Sequence, residues 1–400
     1  MSKKKLICLM GCMLAISHVA LGAEWSVVPS IRLQSSYDDN IYLTTGSHKS
    51  IWGVSVSPLL RLGKRTQNSE IFLTGRATFN HYSQKQAVNP DAQIITLASH
   101  YDTQLNVWRL DGYYKRDTTS TTIAVEPDTT SVTGSGSSIV NVNLVPVEVR
   151  QNDLSLHPSW TRKLAPKTSL SLGYGFNDVF YDGSHTSLSD YQQHGIGAAI
   201  SHKITQRDDL GVMANASLYR ASSFNNEANN YGIQMTLDHD YTETLHGTLR
   251  VGGRYTSSTV ANQKTDTAGL LLTAILNKQY SEVTSYRITL GRSVLPSGSG
   301  EVVETDLLAG QVSRDLSPRL NFALWGNVFK EKSINVNTSG VSRTYLDIEP
   351  SLRYQITRQW TVDGSYRYRW QKYRSASTSA DGNAVFISLN YNWPRIAVSR

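Results

Sequence analysis

Trp360-Thr361-Val362-Asp363-Gly364-Ser365-Tyr366-Arg367-Tyr368-Arg369-Trp370-Gln371 changes character at every step. In an extended chain successive side chains point to opposite faces. Trp360, Val362, Gly364, Tyr366, Tyr368 and Trp370 therefore share one side, and Thr361, Asp363, Ser365, Arg367, Arg369 and Gln371 the other. One face is aromatic and apolar, the other charged, which is the pattern of a sheet lying between two different solvents. Leu245–Thr256 repeats it, with Leu245, Leu249, Val251 and Tyr255 against His246, Thr248, Arg250, Arg254 and Thr256. So does Leu346–Gln355, with Leu346, Ile348, Leu352 and Tyr354 against Asp347, Glu349, Ser351, Arg353 and Gln355. Each stretch reaches the roughly 9–11 residues that carry a tilted strand across a bilayer.

Working outward, two kinds of link alternate along the chain. Tight ones fall near Gly63–Ser69, Tyr101–Gln104, Ala165–Lys167, Thr205–Arg207, Thr242–Thr244, Ser281–Glu282, Ser317–Arg319 and Thr357–Gln359. Between them lie longer polar stretches: Asp39–Lys49, Ser83–Asp91, Thr118–Glu148, Asp182–Ser189, Ser222–Asn229, Ser257–Lys264, Leu295–Gly300, Glu331–Ser342 and Lys372–Gly382. Short turns at one end and long loops at the other predict an all-β, up-and-down antiparallel transmembrane barrel of about 18 strands, within a range of about 16–20. Pro29 and Pro158 interrupt the two weakest strands.

An internal repeat runs through the same links. An apolar residue, usually followed by Ser or Thr, precedes the tight turn: Leu164-Ala165, Ile204-Thr205, Tyr241-Thr242, Tyr280-Ser281, Leu316-Ser317 and Ile356-Thr357, spaced by 40, 37, 39, 36 and 40 residues. Each unit reads as a pair of long strands. A propeller blade of similar length would need four short ones.

The amino-terminal residues carry the marks of export. Lys3, Lys4 and Lys5 precede the apolar run Leu6–Ile16, and Ala20-Leu21-Gly22-Ala23 supplies small residues for cleavage. We expect residues 1–23 to be a signal peptide and residues 24–400 the barrel domain. Leu9-Met10-Gly11-Cys12 also has the form of a lipoprotein box, although cleavage there would leave a very short apolar region. Both cysteines, Cys8 and Cys12, fall inside the signal, which excludes disulfides, zinc–thiolate sites and cysteine nucleophiles from the mature chain. Three of the charges behind the formal +7 belong to the signal lysines, and the remainder is too mild to imply nucleic acid. Mean hydropathy is negative (−0.33), yet there are 21 tyrosines and 8 tryptophans, side chains suited to the interfacial girdles of a barrel. No later segment is apolar for long enough to cross a bilayer as a helix.

Three stretches carry a resemblance. Ser36-Tyr37-Asp38-Asp39-Asn40-Ile41-Tyr42-Leu43, Trp108–Gly112 continuing to Lys115–Thr119, and the closing Tyr391-Asn392-Trp393-Pro394-Arg395 are similar to the β-barrel porin family found in exopolysaccharide and exosortase gene neighbourhoods. The resemblance implies an outer-membrane protein of a Gram-negative bacterium tied to surface polysaccharide, with a periplasmic export partner. It brings no catalytic residues.

Phase places Arg76, Arg109, Arg250, Arg254, Arg287, Arg353, Arg367 and Arg369 on the inward faces, since charge on the lipid face costs roughly 2–4 kcal/mol at mid-bilayer. They are the expected lining of a path for anionic solutes or acidic glycans. The competing reading pairs them with Asp111, Asp238, Glu304, Asp347, Glu349 and Asp363 in an interior polar network. Phe72, Trp325 and Phe329 also fall inward, either as sugar-stacking platforms or as packing against a plug. Asp38-Asp39-Asn40 offers oxygens to a calcium ion, though a solvated turn accounts for it as well. His239-Asp240 and Asp208-Asp209 make no catalytic dyad, because neighbours on a strand point apart. No constellation implies a cofactor or a metal. The expected function is passage of polysaccharide or anionic solutes, with a non-conducting structural barrel or a general diffusion porin as alternatives.

Overall fold

The computed structural model describes residues 22–48, 50–83, 91–118, 149–183, 188–222, 226–260, 262–298, 300–334, 342–374 and 378–399. The expected signal segment, apart from Gly22 and Ala23, and the Thr118–Glu148 link beyond Thr118 itself, lie outside them. The strands are β1 (Glu24–Asp38), β2 (Ile51–Arg65), β3 (Ser69–Tyr82), β4 (Ala92–Asp102), β5 (Asn106–Thr118) and β6 (Arg150–Ala165). There follow β7 (Thr168–Tyr181), β8 (Tyr191–Lys203), β9 (Asp208–Ala221), β10 (Asn226–Thr242), β11 (Leu245–Val260) and β12 (Gln263–Ser281). The last are β13 (Thr284–Pro296), β14 (Val302–Ser317), β15 (Leu320–Ser333), β16 (Ser342–Gln355), β17 (Trp360–Tyr373), β18 (Ala380–Asn392) and β19 (Ile396–Ser399).

From β1 to β18 every strand pairs antiparallel with its neighbours in sequence, and β1 pairs with β2 on one edge and with β18 and β19 on the other. The sheet therefore closes on itself, as a membrane-spanning sheet requires. β18 and β19 form a single stave: Ser30–Asp38 pair with β18, Glu24–Val27 with β19. The wall has 18 staves, as the link count predicts. The tail after Trp393 does not simply follow the last strand, because Ile396–Ser399 rejoin the ladder. β1 runs through Pro29, whose carbonyl accepts the Trp393 N–H at 3.2 Å where β18 hands over to β19. Pro58, Pro158 and Pro350 each leave a gap in one adjoining ladder, the consequence of a missing N–H, while the strand itself continues.

All eight tight links are turns at one end of the barrel. Several expected long links at the other end prove shorter: β11 and β12 meet through a two-residue connection at 261–262, with Asn262 at φ 64°, and β10 already begins at Asn226. The apolar alternation stops where the outer face leaves lipid. The hydrogen-bonded ladder needs no apolar face and continues into water.

The outward faces are the expected ones. Leu249, Val251 and Tyr255 on β11, Ile348, Leu352 and Tyr354 on β16, and Val385, Ile387 and Trp393 at the last stave are exposed to the surroundings of the barrel. Trp25, Trp108 and Tyr280 ring the turn end, while Trp52, Tyr231 and Tyr255 ring the loop end. The buried residues concentrate inside the loop-end half, where polar Thr256, Asp347 and Glu331 sit beside apolar Phe329 and Val303.

Candidate functional site

The lumen is built from the alternate positions of each strand, so its chemistry follows strand phase. The eight expected arginines all occupy inward positions, and they divide by surroundings. Arg254 on β11 is buried, with Nη2 2.5 Å from Glu304 Oε2 and Nη1 donating to Thr256 Oγ1 at 3.1 Å. Arg367 on β17 donates through Nε to both oxygens of Asp347, at 3.0 and 2.9 Å. Arg369 is buried and donates to Asp38 Oδ2 at 2.7 Å. Arg353 on β16 donates to Asp363 Oδ1 at 2.6 Å but remains mostly exposed. Arg250 lies half-buried on β11 and Arg287 half-buried on β13. Arg76 on β3 and Arg109 on β5 are exposed to the lumen. Among the described residues no ion pair is found for Arg76, Arg109 or Arg287.

Inward cations were also missed from sequence, Arg32, Arg61 and Arg343 among them. Arg32 on β1 lies close enough to Arg76 and Arg353 to feel their charge, with Asp363 and Glu349 the nearby carboxylates. Its signal was present in the alternation of Ser30, Arg32, Gln34 and Ser36 with Ile31, Leu33, Ser35 and Tyr37, masked by Pro29 just before it. Arg61 on β2 places its guanidinium 4.2 Å from the centre of the Phe72 ring, so this inward aromatic is capped by a cation. Arg343 sits at the start of β16, between the expected Glu331–Ser342 loop and the apolar alternation that begins at Leu346. It is fully buried and 3.1 Å from Glu331, which is also fully buried.

Phe329 stacks on Tyr345 with ring centroids 4.9 Å apart, and Arg343 lies over both rings. These aromatics are packed from the lumen side by the first loop. Leu43 joins Leu307, Phe329, Tyr345 and Ala380 in a buried cluster. The motif Asp38-Asp39-Asn40 is what folds this loop inward. Asn40 Nδ2 donates to the carbonyls of Thr44 and Asp381 at 3.0 and 2.8 Å, and its Oδ1 accepts the Thr44 N–H at 3.0 Å. Asp39 accepts from the Asn383 N–H and side-chain amide at 2.7 and 2.8 Å. Gln371 donates to the Leu43 carbonyl at 2.8 Å, and Arg369 reaches the Asn40 carbonyl at 3.3 Å. A Cβ at Gly382 would meet the Asn40 carbonyl and the Leu43 side chain at 3.0 Å, so any larger residue would push the loop back by a few tenths of an ångström. The oxygens offered to calcium in the sequence reading are taken up by the latch, and no metal-holding group of acids and histidines is found among the described residues.

A second element narrows the same end. The tip of the β13–β14 hairpin leans into the lumen. Val302, on an outward position of β14, is buried against Tyr219, Ala221 and Ala228, which line the inner faces of β9 and β10. Tyr219 Oη donates to the Ser297 carbonyl at 2.9 Å, Asn226 Nδ2 to the Gly300 carbonyl at 2.9 Å, and the Ser189 N–H to the Gly298 carbonyl at 2.7 Å.

At the turn end the lumen opens into a cavity of about 750 Å³ lined by Arg207, Asp240, Glu243, His246, Asn277 and Arg287, among others. His246 Nδ1 lies 2.7 Å from Asp240, and His239 Nδ1 lies 2.6 Å from Asp208. The two adjacent dipeptides of the sequence thus resolve into cross-strand pairs, and His239 and Asp240 do point apart.

No family model matches this chain, and no curated protein sequence matches it. Solved structures do. A BenF-like porin from Pseudomonas fluorescens superposes with a TM-score of 0.50 at 10% identity, over 92% of this chain and 99% of that one. The outer membrane protein opdK from Pseudomonas aeruginosa gives 0.49 at 9% identity over 92% and 99%. OccK2 (OpdF) from the same organism, in complex with glucuronate, gives 0.48 at 11% identity over 92% and 98%. The closed wall of 18 staves, its apolar outer belt between aromatic rings and the likeness of fold to a porin make this chain an outer-membrane β-barrel with a porin-like fold.

Proposed function

We propose that the barrel passes small anionic solutes across the outer membrane. The observation that carries this reading is the contrast among the inward arginines. Arg254, Arg367 and Arg369 are held by carboxylates in the narrowed half, whereas Arg76, Arg109 and Arg287 face water with no ion pair among the described residues. Cations lining a water-filled path raise the local concentration of anions and so set selectivity. The inward first loop and hairpin tip narrow the way and favour small solutes over a polymer. Export of exopolysaccharide rests on the resemblance of residues 36–43, 108–119 and 391–395, and those of the first stretch act here as a loop latch.

The test is reversal potential across a planar bilayer under a salt gradient. The unaltered protein should prefer anions, and the triple variant Arg76→Gln, Arg109→Gln, Arg287→Gln should lose most of that preference while still folding. The preference should also fade towards 1 M salt, where charges are screened over about 3 Å. Cation preference in the unaltered protein would overturn the reading, and an absence of conductance would favour a structural barrel. Liposomes that swell in uncharged sugars as fast as in glucuronate would point to a general diffusion porin, and passage of long acidic glycans to the export reading.

A further inference from the structure

The wall between β12 and β13 is left unfinished. Their ladder ends at Leu272 opposite Arg292, yet β12 continues outward to Gln263, paired only with β11. Nine residues, Gln263–Leu271, therefore present an edge with no strand against it. No other described strand runs more than four residues past its neighbour. β13 does not stop at Arg292. Ser293–Pro296 remain strand, paired with β14 alone. The two strands part company because the β13–β14 tip has bent into the lumen.

Strand phase shows the direction of the bend. Val294 and Val302 occupy outward positions, in register with Arg292 and Leu290 below them. Nevertheless they pack against Tyr191, Tyr219, Ala221 and Ala228, which face inward from β8, β9 and β10. Outward residues can meet inward residues of other staves only if the tip has crossed behind the wall. Arg254, inward on β11, then reaches Glu304, outward on β14, at 2.5 Å. Gly291 lies one pair below the divergence, and a Cβ there would touch nothing closer than 3.9 Å, which leaves room for a hinge.

The register of the remaining ladder says where the tip would sit if it returned. Continuing from Leu272–Arg292, Leu271 would pair with Ser293, Leu270 with Val294, Gly269 with Leu295 and Ala268 with Pro296. Pro296 has no N–H to offer, so the zipper would end there. An unpaired edge beside lipid is costly, because backbone groups in that medium need partners. Both positions therefore have something to recommend them. Inside, the tip gains the Tyr219, Asn226, Ser189 and Arg254 contacts. In the wall, it regains four ladder pairs and covers the edge.

We infer that the β13–β14 tip is a gate for the lumen, moving between the inward position and a place zipped onto β12. Residues Ser293–Pro296 are its contact segment and the β12 edge is its alternative seat. The gating role rests on the channel reading above, while the motion itself does not.

Two cysteine pairs test it, Leu271→Cys with Ser293→Cys and Leu270→Cys with Val294→Cys. Successive antiparallel pairs alternate between hydrogen-bonded and closer non-hydrogen-bonded geometry, so one of the two suits a disulfide when zipped. The native cysteines, Cys8 and Cys12, lie in the expected signal peptide, and changing both to Ser keeps them from competing. In outer membranes treated with a mild oxidant, one pair should cross-link in barrels that remain heat-modifiable on gels. The cross-linked channel should lose its closed level, and reductant should restore it. Tyr219→Phe and Glu304→Gln, which weaken the inward seat, should each raise open probability several-fold. Folded barrels whose cysteines react with maleimide but never cross-link would overturn the motion. A cross-link that leaves conductance unchanged would overturn the gating role. A cross-link in a barrel that conducts nothing would uphold the motion and fail the channel reading instead.

Discussion

Arg343 and Glu331 are both fully buried and 3.1 Å apart, whereas Arg353 beside Asp363 is 67% exposed. The same pair of charges has different consequences in these two settings. Water around Arg353 screens the attraction, so Arg353→Gln should change stability by no more than about 0–1 kcal/mol. Glu331→Ala leaves a guanidinium buried without its carboxylate and should cost about 3–5 kcal/mol. Replacing both Glu331 and Arg343 with Met should recover most of that loss, because the desolvation of both charges disappears with them. Midpoints of heat-modified migration on gels would rank the three variants. A loss at Arg353→Gln as large as that at Glu331→Ala would contradict the argument. Sequence located Arg353 and missed Arg343 for a simple reason. Arg353 lies within apolar alternation, and Arg343 lies beyond it, where nothing but the fold shows which way a side chain points.

At the scale of elements, the repeat seen in the sequence has a structural meaning. Leu164, Tyr241, Tyr280 and Leu316 are each the residue left out where the ladder shifts register before a tight turn. They are bulges, and with Ile204 and Ile356 they are exposed at the turn end, from 44% at Ile356 to 72% at Tyr280. The hydroxyl that follows organises the turn. Thr205 Oγ1 accepts the Arg207 and Asp208 N–H groups at 3.0 Å, Ser317 Oγ accepts from Arg319 and Leu320, and Thr357 Oγ1 accepts from Gln359 and Trp360. This is the side-chain mimicry of a turn that Ser and Thr provide. The pair thus combines an anchor at the lipid boundary with a turn, which explains its recurrence at successive tight turns from β6 onward. Thr357→Ala should cost about 0.5–1.5 kcal/mol, the net value of such a hydrogen bond, and Thr357→Ser should restore it. Chemical unfolding in detergent would measure both, and equal stability of the Ala and Ser variants would show that the hydroxyl is idle. The links were legible as turns because their chemistry is local. Their opposite numbers were read as too long, since the stretch around Ser257–Lys264 is polar on both faces, yet Ser257–Val260 and Gln263–Asp266 still pair as strands.

For the molecule as a whole, closure is the property on which the rest depends. Glu24–Val27 are held on one side by β2 and on the other by Ile396–Ser399. Removing residues 396–400 should open that seam at the turn end and lower the temperature at which the folded, fast-migrating band is lost, without abolishing folding, because Ser30–Asp38 still pair with β18. An unchanged transition would mean that this short stave adds nothing to closure. The strand count, the identity of the lipid face and the inward phase of eight arginines were determined by the sequence alone. Period-two alternation is a local consequence of strand geometry, and it is strongest where one face meets lipid. Which arginine is held and which faces water, the inward latch built by Asp38-Asp39-Asn40, and the departure of β13 from β12 were decided only by the tertiary structure. Those features depend on residues hundreds of positions apart, such as Asp38 and Arg369, meeting across a closed wall. Alternation says which face a side chain takes, and only closure of the sheet says what stands opposite it.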